Sequence, residues 1–86
     1  MFKIGTFYKC FEFLKYQELE DGLRDHCIKR QIKGTIILTP EGINATVSSD
    51  KDKALEDLNI YLNNLVGEVV FRFSFSNTSP FKRLKI

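Results

Sequence analysis

Tryptophan is absent from this chain, and histidine and methionine occur once each, proline and cysteine twice each, in 86 residues. Cys10 and Cys27 form no Cys-x-x-Cys pair, and neither stands at metal-ligand spacing from a histidine. That excludes a disulfide framework and a thiol-based zinc site, and both cysteines are expected to be small buried hydrophobes kept reduced. No apolar run approaches the ~20 residues needed to span a bilayer. Met1-Phe2-Lys3-Ile4 also lacks the apolar block of a secretion signal, so the expected location is cytoplasmic, with no membrane partner. A formal net charge of +2 is too small to argue nucleic-acid binding from the total. Its distribution is uneven, because every charged residue after Glu68 is basic: Arg72, Lys82, Arg83 and Lys85. Such a cluster meets phosphates or is a solvated surface.

What is present is the composition of a folded domain: 43% hydrophobic and 28% charged residues, with eight phenylalanines to build a core. The length allows one domain, 1–86, and no second. Lys3 to Phe13, β-branched and aromatic, predicts a first strand with a bend at Gly5. From Tyr16 the period becomes helical through Leu19, Leu23, Cys27 and Ile32, with acids at the start and bases before Gly34. Ile36–Thr39 and Ile43–Ser48 read as a hairpin turned by Pro40-Glu41-Gly42, in which Pro fixes φ and Gly42 is free to take a positive one. Glu41 and Asn44 are left as polar side chains at a rigid tip. Ser49 with Asp52 predicts a cap for a second helix, buried along Leu55, Leu58, Leu62 and Leu65 and ended by Gly67. Val69, Phe71, Phe73 and Phe75 then alternate as a strand with its aromatic side inward. The order is βαββαβ, which predicts an α+β, ferredoxin-like sandwich: a four-stranded antiparallel sheet with two helices on one face.

That fold hosts many activities, so function must come from sites. Base stacking on the open sheet face is disfavoured, because the alternating phenylalanines are expected under the helices while the open face offers Asn44, Thr46, Arg72 and Ser74. Glu12-Phe13-Leu14-Lys15 after the first strand offers no Gly-rich anion cradle, and Cys10 alone cannot hold a metal there. His26 and Cys27, adjacent on a helix, diverge by about 100° and make a poor nucleophilic pair. No nucleophile, base and orienter assemble, so no catalytic residue, metal or cofactor is assigned and the chain alone is not expected to be an enzyme.

Lys33 to Ser48, KGTIILTPEGINATVS, resembles the pattern KGTILLAPEGINGTIAG of the rhodanese-domain proteins known as oxygen-dependent tRNA uridine hydroxylases. The resemblance extends to Phe7-Tyr8-Lys9 and to Phe75-Ser76 and Ser79-Pro80-Phe81-Lys82-Arg83-Leu84-Lys85, in the family's order. Thr39 and Ala45 stand where Ala and Gly are usual. The resemblance implies an N-terminal, acylphosphatase-like domain cut from a longer protein whose C-terminal rhodanese domain carries the reactive cysteine and forms 5-hydroxyuridine at the tRNA wobble position. It implies an accessory role: Arg72, Lys82, Arg83 and Lys85 contact tRNA, and Pro40, Glu41, Gly42 and Asn44 dock a neighbouring segment. The alternative is a regulatory or protein-interaction module of a rhodanese-like sulfurtransferase that touches no RNA.

Overall fold

A computed structural model describes all residues, 1–86. The chain forms β1 (Phe2–Cys10), a 3-10 turn (Tyr16–Leu19), α1 (Glu20–Lys29), β2 (Lys33–Thr39), β3 (Gly42–Ser49), α2 (Ala54–Val66), β4 (Arg72–Ser76) and β5 (Leu84–Lys85). The sheet order is β4-β1-β3-β2-β5. β1 pairs antiparallel with β3 and β4, and β2 antiparallel with β3, which is the expected ferredoxin-like arrangement. The expected four strands gain a fifth: β5 pairs parallel to β2 at the far edge. The segment 77–83 crosses the end of the sheet to bring it there.

Both helices cover one face because their apolar stripes meet the inward half of each strand. Leu23 and Cys27 of α1 and Leu55, Leu58 and Leu62 of α2 are buried against Phe7, Ile36, Ile43, Ala45 and Val47. Phe7 and Phe71 stack with ring centroids 4.9 Å apart. Phe71 also lies over Gly5, where an added Cβ would come within 2.7 Å of its ring. Gly5 therefore makes room for a ring inside an unbroken strand and does not bend it. Lys9 reaches from the inner face to the end of α2, its Nζ donating to the carbonyls of Val66 and Glu68 at 2.8 and 2.9 Å. That places a cation on the last carbonyl of the helix and on one just beyond it.

Several local expectations are corrected. β1 stops at Cys10, since the amides of Phe11 and Phe13 turn away to the carbonyls of Glu41 and Pro40. Ser49 caps no helix. It ends β3, donating its hydroxyl to the Arg30 carbonyl and accepting from the Lys51 amide, and α2 starts after Lys53, which has a left-handed φ of 62° and no side-chain cap. Leu65, in the last turn of α2, is exposed, and Leu19 and Leu38 pack only at the core's margin. Phe73 and Phe75 are 43% and 63% exposed. They do point to the helix side, but at the end of the sheet where α2 begins. There the Lys3–Glu56 ion pair, 2.9 Å, stands in place of apolar cover, and the Lys3 ammonium lies 4.1 Å from the centre of the Phe73 ring. His26 diverges from Cys27 as expected and stacks on Tyr61, centroids 4.3 Å apart, with Nε2 buried and unpaired.

Candidate functional site

The face of the sheet away from the helices is set by strand parity. Gly5 and Phe7 point inward, so Ile4, Thr6, Tyr8 and Cys10 point outward. By register they are joined by Thr35 and Ile37 of β2, Asn44 and Thr46 of β3, Arg72 and Ser74 of β4, and Lys85 of β5. Arg72 pairs with Thr6, Thr6 with Thr46, Thr46 with Thr35, and Thr35 with Lys85. One row of side chains thus crosses all five strands, three threonines between a guanidinium and an ammonium.

Charge is partitioned by secondary structure. None of the eleven acidic residues lies in a strand, whereas the strands carry Lys3, Lys9, Lys33, Arg72 and Lys85. Lys3 and Lys9 face the helices and are engaged there. Lys33, Arg72 and Lys85 are exposed, and the ion pairs of the fold use other cations: Lys3, Arg24, Arg30 and Lys51. The four basic residues singled out by sequence do not form one cluster. Arg72 opens β4 at one edge, while exposed Lys82 and Arg83 lead into β5 at the other. With strands about 4.8 Å apart, the sheet width between them is roughly 19 Å. Arg83 is anchored through its backbone, its carbonyl accepting the Gly34 amide at 3.0 Å.

The hairpin tip is held from two sides. Its carbonyls take the Phe11 and Phe13 amides at 3.2 and 2.8 Å, and the Glu41 amide donates to Thr39 Oγ1 at 3.1 Å. Gly42 opens β3 with φ 142°, and an added Cβ would stand 2.1 Å from the Lys9 carbonyl oxygen. Its need for glycine therefore comes from the passing β1 backbone as much as from the turn. Glu41, Gly42 and Asn44 are brought together with Tyr8, Ile37 and Thr39 around a shallow pocket of about 230 Å³ on the open face. Pro40 is not among its lining residues and only shapes the turn behind it.

Tyr8 is the residue that sequence reasoning passed over, and it corrects the expectation that the open face offers no ring on which a base could stack. It is 70% exposed, and its hydroxyl lies 2.7 Å from Cys10 Sγ on the same side of β1. This bond, followed by repulsion from a Cys10 thiolate, holds the phenol above its ordinary value of 10.0. Cys10, expected to be buried, is exposed because it shares the outward parity of Tyr8. Cys27 is buried as expected, and burial pushes its thiol up to about 12. Counting alternate residues outward from Phe7 is the signal that finds Tyr8 and Cys10.

Residues 2–86 match the family model described as the UPF0176 acylphosphatase like domain. Among curated proteins, the chain is 33% identical over 85 residues to a tRNA uridine(34) hydroxylase of Ehrlichia chaffeensis, covering 96% of this chain and 31% of that protein. It is 34% identical over 87 residues to one of Picosynechococcus, covering 99% and 29%. A third, from Wolbachia pipientis wMel, is 30% identical over 87 residues, covering 99% and 31%. The chain spans about a third of the length of these relatives.

Proposed function

Because the chain belongs to the UPF0176 acylphosphatase-like domain family, we propose that it is the accessory domain of a longer tRNA uridine(34) hydroxylase. It presents its open sheet face to tRNA while a C-terminal rhodanese domain of the same protein performs the chemistry at the wobble uridine. The observation that carries this reading is the charge partition: a sheet without a single acid, whose uncovered face ends in Arg72 on one edge and Lys85 on the other. Phosphate contacts of this kind supply affinity and position a nucleic acid without reading its sequence. Threonine hydroxyls between the two cations add hydrogen-bond donors along the same row. Lys82 and Arg83 extend the basic edge, and Glu41 and Asn44 at the tip hydrogen-bond whatever lies over the pocket. A tRNA substrate implies work in the cytoplasm, and no helix of the chain is long and apolar enough to cross a membrane.

A second reading has its own observation. Phe73 and Phe75 of the edge strand β4 are 43% and 63% exposed. Edge strands with uncovered apolar side chains receive partners, which favours a protein-interaction or regulatory module of a rhodanese-like sulfurtransferase. Nucleoside analysis of tRNA from cells lacking the gene separates the two. Loss of 5-hydroxyuridine supports the hydroxylase, and re-expression with Arg72, Lys82, Arg83 and Lys85 all replaced by Ala is expected to restore it only weakly. Unchanged 5-hydroxyuridine with loss of a thiolated nucleoside would support the sulfurtransferase.

A further inference from the structure

Resting on the reading that this face meets RNA, we infer that the pocket of Tyr8, Ile37, Glu41 and Asn44 takes one unpaired nucleobase stacked on the Tyr8 ring. The Arg72–Thr6–Thr46–Thr35–Lys85 row carries the phosphates of the same strand. The two features are neighbours by register. Tyr8 pairs with Asn44 and Asn44 with Ile37, so these three make a second cross-strand row, each residue two positions along its strand from the first. At a rise of about 3.4 Å per residue the rows are roughly 7 Å apart, and a single nucleotide can lay its backbone on one and its base on the other.

The chemistry of the second row suits a base and not a phosphate. Tyr8 offers a largely exposed aromatic face, Ile37 an apolar neighbour that is 50% exposed, and Asn44 and Glu41 a donor and acceptors at the pocket wall. A carboxylate at this position repels phosphate and accepts from the N–H groups on a base edge. The ring is also positioned before anything binds. Its hydroxyl is tied to Cys10 Sγ two residues along the strand, which draws the phenol along β1 and limits its rotation, so little side-chain entropy remains to be lost on stacking. Only an unpaired base exposes a face to such a ring, so the ligand is single-stranded RNA and not a duplex.

The test is a titration of the chain with a fluorescein-labelled single-stranded RNA heptamer, against a blunt RNA duplex of the same composition. Stacking predicts that Tyr8→Ala weakens heptamer binding by about 5- to 150-fold. The slope of affinity against salt should stay unchanged, because no charge is lost. Tyr8→Phe and Cys10→Ala both keep the ring but break its tether to Sγ, so each costs the same small part of the affinity and far less than Tyr8→Ala, and duplex binding ignores all three. Since Tyr8 and Cys10 are exposed, their variants are expected to keep the wild-type amide spectrum, which is checked alongside. Wild-type affinity in Tyr8→Ala, with binding still lost in Arg72→Ala/Lys85→Ala, overturns the stacking inference and leaves the phosphate-contact reading standing. No heptamer binding to any form overturns the stacking inference, and no binding of the duplex either overturns the phosphate-contact reading with it. In the longer protein, protection of the Tyr8 face before RNA is added overturns the inference in favour of domain docking.

Discussion

Arg72 and Lys85 stand on opposite edges of the sheet and at the two ends of one cross-strand row, with Thr6, Thr46 and Thr35 between them. Thirteen positions apart in sequence, they are separated by the full width of the fold because β4 joins β1 while β5 joins β2. A basic tail would concentrate charge at one point, whereas this arrangement spreads it along a line, as a nucleic-acid backbone requires.

Leu58 is fully buried between α2 and the sheet. Leu58→Ala is expected to cost about 2–5 kcal/mol of stability in a denaturant melt, through lost transfer energy and a residual cavity. A loss within the error of the melt would mean that the α2 stripe does not face the core.

The two thiols should differ sharply. Cys10 is exposed and labels in the native state at mildly alkaline pH, whereas Cys27, buried with its thiol pushed up to about 12, reacts only after unfolding. Equal native rates by mass spectrometry of a timed alkylation would contradict the packing of α1.

Gly42→Ala should destabilise the chain by more than about 1 kcal/mol, since its left-handed φ and the Lys9 carbonyl 2.1 Å from the new Cβ both oppose the substitution. Urea melts of wild type and variant measure it. A neutral result would mean that β1 and β3 do not approach as closely here.

His26 adds a pH dependence. Burial first, then Arg30, lower its value below the ordinary 6.5, with Asp57 pulling the other way. Between the folded and unfolded values the unfolded chain binds more protons, so stability is full above about pH 6.5 and falls as pH drops below it. His26→Phe keeps a ring against Tyr61 and should remove that fall. Glu56, lowered by its bond to Lys3, acts in a separate window below its ordinary 4.5. Urea midpoints at pH 7.5, 6.5 and 5.5 decide the matter: the same slope in wild type and variant would contradict the assignment.

Long periodic segments were legible in the sequence: both helices, the hairpin and the βαββαβ order follow from spacing alone. What escaped depended on contacts distant in the chain. Two-residue β5 has no periodicity and exists because Gly34 and Thr35 offer an open edge. Ser49 resembled a cap because its neighbours fit the pattern, but its hydroxyl finds Arg30, nineteen residues away. The inward side of Val69, Phe71, Phe73 and Phe75 was read correctly, but the strand starts only at Arg72, and inward is not covered at Phe73 and Phe75, because burial there depends on where α2 begins. For the site, Glu41 and Asn44 were visible at the turn. Tyr8 was not, since it joins them only through the β1–β3 register.

The central claim, that the open sheet face meets tRNA through its charged row, is tested most directly by the salt dependence of tRNA affinity in wild type and Arg72→Ala/Lys85→Ala. Lys29→Ala on the helix side serves as the control. If each cation neutralises one phosphate, the double variant binds more weakly and its log–log slope is shallower by roughly 1.4–1.8, while Lys29→Ala follows wild type. A double variant with wild-type affinity and an unchanged slope would contradict the account and leave the face to a protein partner.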